Sequence, residues 1–417
     1  MFDSETRPSA SMMAVSALMA LTLAACGGGG GDGTPVAQTD LNAPAPSPSP
    51  SPSPSPSPSP SPSPSPSPSP APSPAPSPAP SPAPAPAPAP TIGQNWSARL
   101  PPKIGPPASS DPTGQLLLAG EAAGGRLNAS VDGGANWTTG DSPSGIWIAS
   151  DMTPTGSAMV AVQYFGGMYL STNFGQNWNR ITSSPLVDVA DGRAFEGVTI
   201  SADGQRIAAV VQNGPVVVSS DGGASWSAGM SNGVALDRIY WRSIDSSADG
   251  SVLLAVSQDP LVYLSTDGGA NWAPIDITVD GVPQFQNWYR VKMSADGNTI
   301  VMAGNSFGGN EGNGIYVSRD RGQTWARSFV LTGDYTSLGM SADGQIIGAT
   351  MSTTASSSSR VLLSTNAGGS FSELTMPAAD PNWRAITVSG SGTTLAVGAG
   401  NFLTGTAGQL YTSVGTR

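Results

Sequence analysis

Histidine is absent from this chain of 417 residues, and cysteine occurs once. Without histidine no Ser-His-Asp or Cys-His catalytic pair can be assembled, and the usual zinc ligand sets are out of reach. A single cysteine cannot close a disulfide within the chain. Charge is scarce too: 11% of residues are Asp, Glu, Lys or Arg, and the formal net charge is −11. No basic stripe offsets that balance, so the surface repels polyanions and nucleic-acid binding is not expected. No catalytic residue, metal site or cofactor emerges from the composition.

What the chain has in plenty is glycine (52) and proline (40), and most of the proline precedes residue 91. Residues 12–25 form an apolar run too short to span a bilayer as a helix but suited to the core of an export signal. It ends in Leu23-Ala24-Ala25-Cys26. This resembles the lipobox of bacterial lipoproteins, which implies cleavage before Cys26 and attachment of lipid to it. By the sorting habit of that family, Gly27 implies the outer membrane, with the chain facing the periplasm or the surface. From Ser47 to Pro90, Ser-Pro and Ala-Pro alternate. Proline at every second position forbids helix and sheet, leaving a polyproline-type spacer that would reach roughly 130–140 Å if extended. The expected organisation is a signal peptide over 1–25, a lipid anchor and disordered Gly-rich then Ser/Ala-Pro-rich linker over 26–90, and a folded domain over 91–417. That last part exceeds what one compact core usually supports, which favours an architecture built from repeated units.

Two short motifs recur through the folded part. One reads Ser-x-Asp-x-Gly-x-x-Trp: Ser130, Asp132, Gly134, Trp137; Ser219, Asp221, Gly223, Trp226; Ser265, Asp267, Gly269, Trp272; and Ser318, Asp320, Gly322, Trp325. Two copies depart from it, as Ser171, Asn173, Gly175, Trp178 and as Ser364, Asn366, Gly368, Phe371. Each follows a short strand-like run. Asp or Asn accepts hydrogen bonds from turn amides, glycine supplies a positive φ, and the aromatic packs between sheets. The expected role of all 24 residues is structural. The second motif is Ser-Ala-Asp-Gly before an apolar run, ending at Gly204, Gly250, Gly297 and Gly344, with looser copies ending at Gly114, Gly156 and Gly392. These seven turns are spaced by 42 to 48 residues and read as hairpins.

The first motif is the Asp-box, and the chain resembles the BNR-repeat propellers, a superfamily that includes sialidase-like and photosystem II assembly factor-like members. The resemblance implies an all-β fold: a seven-bladed β-propeller of four-stranded antiparallel blades. Gly93-Gln94-Asn95-Trp96 matches the end of an Asp-box, and residues 409–413 match the strand that opens one. The N-terminal strand is therefore expected in the last blade, closing the ring and removing exposed sheet edges. Both repeated turns would lie on one face of the disc. The opposite face would carry variable loops, including 305–313, 353–359 and 399–409, where recognition usually sits.

An aromatic stands six residues before most Ser-Ala-Asp-Gly turns: Phe195, Trp241, Trp288, Tyr335, Trp383 and, in a looser copy, Trp147. Beside them are Arg242, Tyr289, Arg290 and Arg384. Burying an unpaired guanidinium is costly, so these arginines must be paired or face solvent. The candidate ligand rim is therefore Trp241, Arg242, Trp288, Tyr289, Arg290, Tyr335, Trp383 and Arg384, chemistry suited to carboxylate, sugar or peptide recognition. Resemblance to photosystem II assembly factor propellers implies a basic channel region that contacts protein.

An enzyme is the alternative. A sialidase-like or xyloglucanase-like glycoside hydrolase needs two facing carboxylates. Glu196, Asp188, Asp191, Asp276, Asp280, Glu311, Asp334 and Asp380 fall near the variable face, but no spacing selects a pair. The sialidase Arg-Ile-Pro signature is missing. The sequence thus favours a monomeric binding or interaction scaffold in the cell envelope, with a protein or glycan partner, no nucleic acid, no cofactor, and membrane contact through the Cys26 lipid alone.

Overall fold

The computed structural model describes residues 90–417 apart from 122–123, 184–193, 306–313, 332, 353–358, 378–381 and 401–407. Cys26, the apolar run and the linker up to residue 89 lie outside the described residues, as do Asp188, Asp191, Glu311 and Asp380.

Every regular element among the described residues is a strand. They form five large antiparallel sheets and two small hairpins. Three sheets have four strands each, for example Trp147–Met152, Met159–Gln163, Met168–Ser171 and Asn179–Arg180 in that order. The β-branched and aromatic content of runs such as Ile207–Gly214 and Val216–Ser219 favours these strands, and the Asp-Gly turns between them set the hairpin register. Second strands are buried on both faces, as in Met159–Gln163 and Leu253–Ser257. The reason is that each sheet packs against a neighbour on either side. One core cluster joins Val252, Leu254 and Val256 of one sheet to Trp288, Val291 and Met302 of the next.

The first strand, Trp96–Ser110, serves two partners. Its start pairs with the last strand, Trp96 opposite Ser413 and Arg99 opposite Leu410, while Ile104 to Ser110 pairs with Leu117–Glu121. Backbone N–H groups of Thr91 and Ile92 also donate to the carbonyl of Thr416. The two ends of the domain are therefore stitched side by side.

Both repeated turns stand at the same end of each sheet, because a backbone bond links them: Gly133 N to Gln115 O, Gly222 N to Gln205 O, Gly268 N to Ser251 O, Arg321 N to Asn298 O, Ala367 N to Gln345 O. At that end the Ser-Ala-Asp-Gly turns form a relay. Ala202 N donates to Ala248 O, Ala248 N to Ala295 O, Ala295 N to Ala342 O, and Ala342 N to Gly390 O. Pro112 and Pro154 hold the matching positions in the looser copies, and proline has no N–H to pass on.

Along the stretch that lines the cavity, each inner strand has one edge without a backbone partner, and its N–H groups must be satisfied elsewhere. Side chains of the preceding sheet do this. Asp151 accepts from Ile200 N (2.9 Å), Asp245 from Met293 N (2.7 Å), Ser243 from Val291 N (3.4 Å) and Ser337 from Ile386 N (3.2 Å).

Candidate functional site

A cavity of about 280 Å³ runs between the inner strands, lined by residues of Trp96–Ser110, Trp147–Met152, Phe195–Ile200, Ile239–Ser246, Asn287–Met293, Asp334–Met340 and Trp383–Val388. The floor end meets small residues of the turn relay, Ala202, Ala248, Ala295, Ala342 and Gly390. The other end is where the inner strands begin. There the chain does something the alternation of a strand cannot. In six of the seven inner strands the register with its neighbour slips by one residue just after the aromatic: between Trp147 and Ala149, Trp241 and Ser243, Trp288 and Arg290, Tyr335 and Ser337, Trp383 and Ala385, and likewise between Phe195 and Gly197. Such a bulge frees one residue from pairing and re-aims its side chain. The bulged residues are Ile148, Glu196, Arg242, Tyr289, Thr336 and Arg384, one per strand.

Four bulged side chains are held by neighbours. Arg242 Nη1 meets Glu196 Oε1 at 2.9 Å, and Arg242 Nε donates to Gln258 Oε1 at 3.1 Å. The guanidinium of Arg290 lies 4.0 Å from the centre of the Tyr289 ring, with Arg242 at 5.8 Å. Arg290 Nε donates to the Thr336 carbonyl (2.9 Å), and the Thr336 hydroxyl bonds to that of Thr350 (2.9 Å). Arg384, half-buried on the cavity wall, has no hydrogen-bond or ion-pair partner among the described residues.

Deeper in the cavity, Lys292 Nζ pairs with Asp245 Oδ1 at 3.0 Å. Burial pushes the Asp245 carboxyl up to about 6 against the pull of Lys292, and the charge of Asp151 adds to the rise. Burial draws the Lys292 ammonium down, but Asp245 and Asp151 outweigh it and hold it above its ordinary value. Burial likewise raises Glu196, opposed by Arg242 and Arg290. Asp151 accepts from the backbone of Met152 and Ile200 and from the Thr199 hydroxyl. Every cavity carboxylate is thus engaged by a cation or an N–H group.

The eight-residue rim expected from the sequence is therefore corrected in half of its members. Trp241, Trp288 and Tyr335 are fully buried and Trp383 nearly so, each packed between sheets rather than facing a ligand. Trp241, Trp288 and Trp383 sit edge-on to Tyr263, Tyr316 and Tyr411. The physical reason is the bulge: it lets the aromatic share the inter-sheet face with the apolar residue three positions on, so Trp241 and Ile244 join one core cluster and Trp383 and Ile386 another. Arg290 and Arg384 line the cavity, and Arg242 and Tyr289 adjoin it through their contacts with Glu196 and Arg290. Glu196, read as one loop carboxylate among many, and Asp151, Asp245 and Lys292 join them. A charged residue four positions after the inner-strand aromatic is the sequence signal for these three.

The Ser-x-Asp turns carry one repeated set of bonds. Ser219 Oγ donates to Asp221 Oδ1 (2.8 Å) and accepts from Gly223 N (2.9 Å), Asp221 Oδ1 accepts from Ser225 N, and Trp226 Nε1 donates to Gly223 O. Serine and Asp or Asn repeat this at Ser130, Ser171, Ser265, Ser318 and Ser364. These turns lie at the floor end, away from the bulges.

No family model and no curated protein matches the chain in sequence. Solved structures do match in shape. The propeller domain of Cps50 (Swd1) from Myceliophteria thermophila aligns with a TM-score of 0.55 at 11% identity, over 76% of this chain and 99% of that one. YCF48 from Cyanidioschyzon merolae aligns at 0.53 and 14%, over 76% and 98%. A structure of YCF48 bound to D1 peptide aligns at 0.53 and 15%, over 76% and 94%. This chain folds as a β-propeller. At these identities the likeness carries the architecture and nothing of the chemistry, and the Asp-box resemblance rests on the repeated turns themselves.

Proposed function

We propose that the chain is an envelope-anchored interaction scaffold: a lipoprotein held by Cys26 whose proline-rich stalk carries a seven-bladed β-propeller that binds a protein partner at the bulged mouth. Seven inner strands on one cavity and seven Gly-closed turns at 42–48 residue spacing support the blade count. On this reading the seven- and eight-stranded sheets are two blades each. The lipobox-like Leu23-Ala24-Ala25-Cys26 supports the anchor and the outer membrane.

The observation that carries the binding role is the ring of bulges. Blade after blade the framework repeats, yet the bulge position holds Ile, Glu, Arg, Tyr, Thr and Arg in turn. A position re-aimed in six inner strands and varied among them suits recognition of an asymmetric ligand. The solved YCF48 bound to D1 peptide lends the same direction by analogy. Hydrolysis is the weaker reading, since the cavity carboxylates are tied to structural partners rather than facing one another across open space.

A photo-crosslinking residue at Tyr289 in the full-length chain, with one at exposed Val131 on the floor end as control, tests this in intact cells. A discrete crosslinked protein from position 289 alone, diminished by Arg384→Glu, is expected. Identical products from both positions, or none, would refute it.

A further inference from the structure

Among the bulged residues, only Arg384 and the apolar Ile148 have no polar partner among the described residues. Glu196 and Arg242 hold each other, Tyr289 lies against Arg290, and Thr336 is hydrogen-bonded to Thr350 and to the Trp383 carbonyl. A guanidinium carries five donors in a planar fork, and leaving it half-buried without acceptors is unfavourable unless something else supplies them. Among the described residues that line the cavity, the carboxylates of Asp151, Glu196 and Asp245 are each engaged elsewhere. Arg290 stands two blades before Arg384, bonded to the intervening strand at the Thr336 carbonyl, and that strand touches the next through Thr336 Oγ1 and Trp383 O. Both arginines line the same cavity, together with Ser337 and Thr387. The result is a cationic wall in which Arg384 has unfilled donor capacity, while Ser337 and Thr387 beside it are bonded to Ile386 and Ser110, inside a chain of net charge −11.

We propose that this wall binds a carboxylate, gripped by the Arg384 fork with Arg290 in support. The cavity's 280 Å³ admits a small organic acid, and its open mouth admits the C-terminal carboxylate of an inserted chain. The chemistry is the same in both cases: planar, bidentate, anionic. The inference rests on the mouth being the ligand end, as proposed above, but does not require a protein partner.

Calorimetric titration of the full-length chain with three probes tests it: succinate, an alanine hexapeptide with a free C-terminus, and the same peptide amidated. At least one free carboxylate should bind, and the amide should not. Succinate binding assigns a free small acid; binding of the free-acid peptide alone assigns a chain end. Arg384→Met keeps the stem and removes the fork, and should weaken binding by about tenfold or more. Its unfolding midpoint should match the parent, because Arg384 holds no bond among the described residues. Arg360→Met, at an exposed pair with Glu373, should bind as the parent does. Failure of all three probes, equal binding of amide and acid, or binding indifferent to Arg384→Met would overturn the proposal. Crosslinking from Tyr289 that persists alongside such failure would leave the scaffold reading intact and remove only the carboxylate.

Discussion

Aspartate is used in two opposite ways in this propeller. At the floor end, Asp132 and Asp221 sit in open turns, where N–H and O–H donors crowd the carboxylate and hold it at about 2. In the cavity, Asp245 has a backbone donor and a lysine beside it, yet burial lifts it to about 6. The side chain is the same and the donors are comparable; what differs is water. Exposed turns keep solvation while gaining hydrogen bonds, so the charged form is favoured. The cavity strips solvation away, and one ion pair does not fully replace it. The floor aspartates thus stabilise the fold as anions, whereas the cavity aspartate is an anion held at a cost. Scaffold and site separate along that line.

The sharpest way to break the comparison is Lys292→Met. It leaves Asp245, whose side chain is 7% exposed, without its cation. The loss near pH 8 should be about 2–3 kcal/mol, below the usual figure for a buried pair because the lysine side chain is itself 35% exposed. The loss should shrink toward pH 5. A carboxyl with a raised native value contributes fully below its unfolded value near 4, and that contribution fades as pH rises through about 6. Removing the lysine pushes the native value higher still and prolongs the fade into alkaline solution. Urea unfolding at the two pH values measures this; equal losses would mean that Asp245 is not strained as an anion.

A smaller effect should come from the floor. Ser219→Ala removes the hydroxyl that ties Asp221 to the turn and strands the buried N–H of Gly223. About 1–2 kcal/mol is expected, carried by the lost bond and the unsatisfied donor. Unlike Lys292→Met, it should cost nearly the same at pH 5 and pH 8, since nothing it touches titrates between them. Unfolding midpoints across that range distinguish a fixed loss from a pH-dependent one.

The contrast also marks how much the sequence could reveal. Each Ser-x-Asp turn closes within eight residues, so its bonds follow from local spacing. The matching of Gly93 to Trp96 with residues 409–413 exposed the seam for the same reason, as two halves of one local motif. The bulges leave only a trace in the sequence. Trp241 and Ile244, or Trp288 and Val291, are both buried and three apart, and a two-residue alternation cannot put both on one face. An extra residue is demanded between them. Which arginine is paired was beyond local reading, because Arg242 meets Glu196 from 46 residues away in the preceding blade. Contacts of that kind depend on how neighbouring blades face each other, which no spacing within one repeat encodes.

The smallest effect sharpens the comparison at its other limb, and the protein contains its own control. Asn173 and Asn366 replace the turn aspartate in two blades, yet their side-chain oxygens accept the same bonds, from Ser171 at 3.1 Å and from Ser364 at 2.9 Å. An amide can therefore fill the role without charge. Asp132→Asn should fold normally and lose little at neutral pH. The difference lies in acid. With its native value near 2 and an unfolded value near 4, Asp132 contributes above pH 4, and that contribution disappears as pH falls toward 2. The wild-type advantage over Asp132→Asn should thus narrow from pH 5 to pH 2, a window below the one in which the loss at Lys292→Met changes. Substituting the existing asparagine, Asn173→Asp, should add a contribution with the same acid decline. Acid unfolding curves of the three proteins measure it. Parallel curves would mean that the turn gains from geometry alone, and that charge at the floor end is incidental to the hydrogen bonds it accepts.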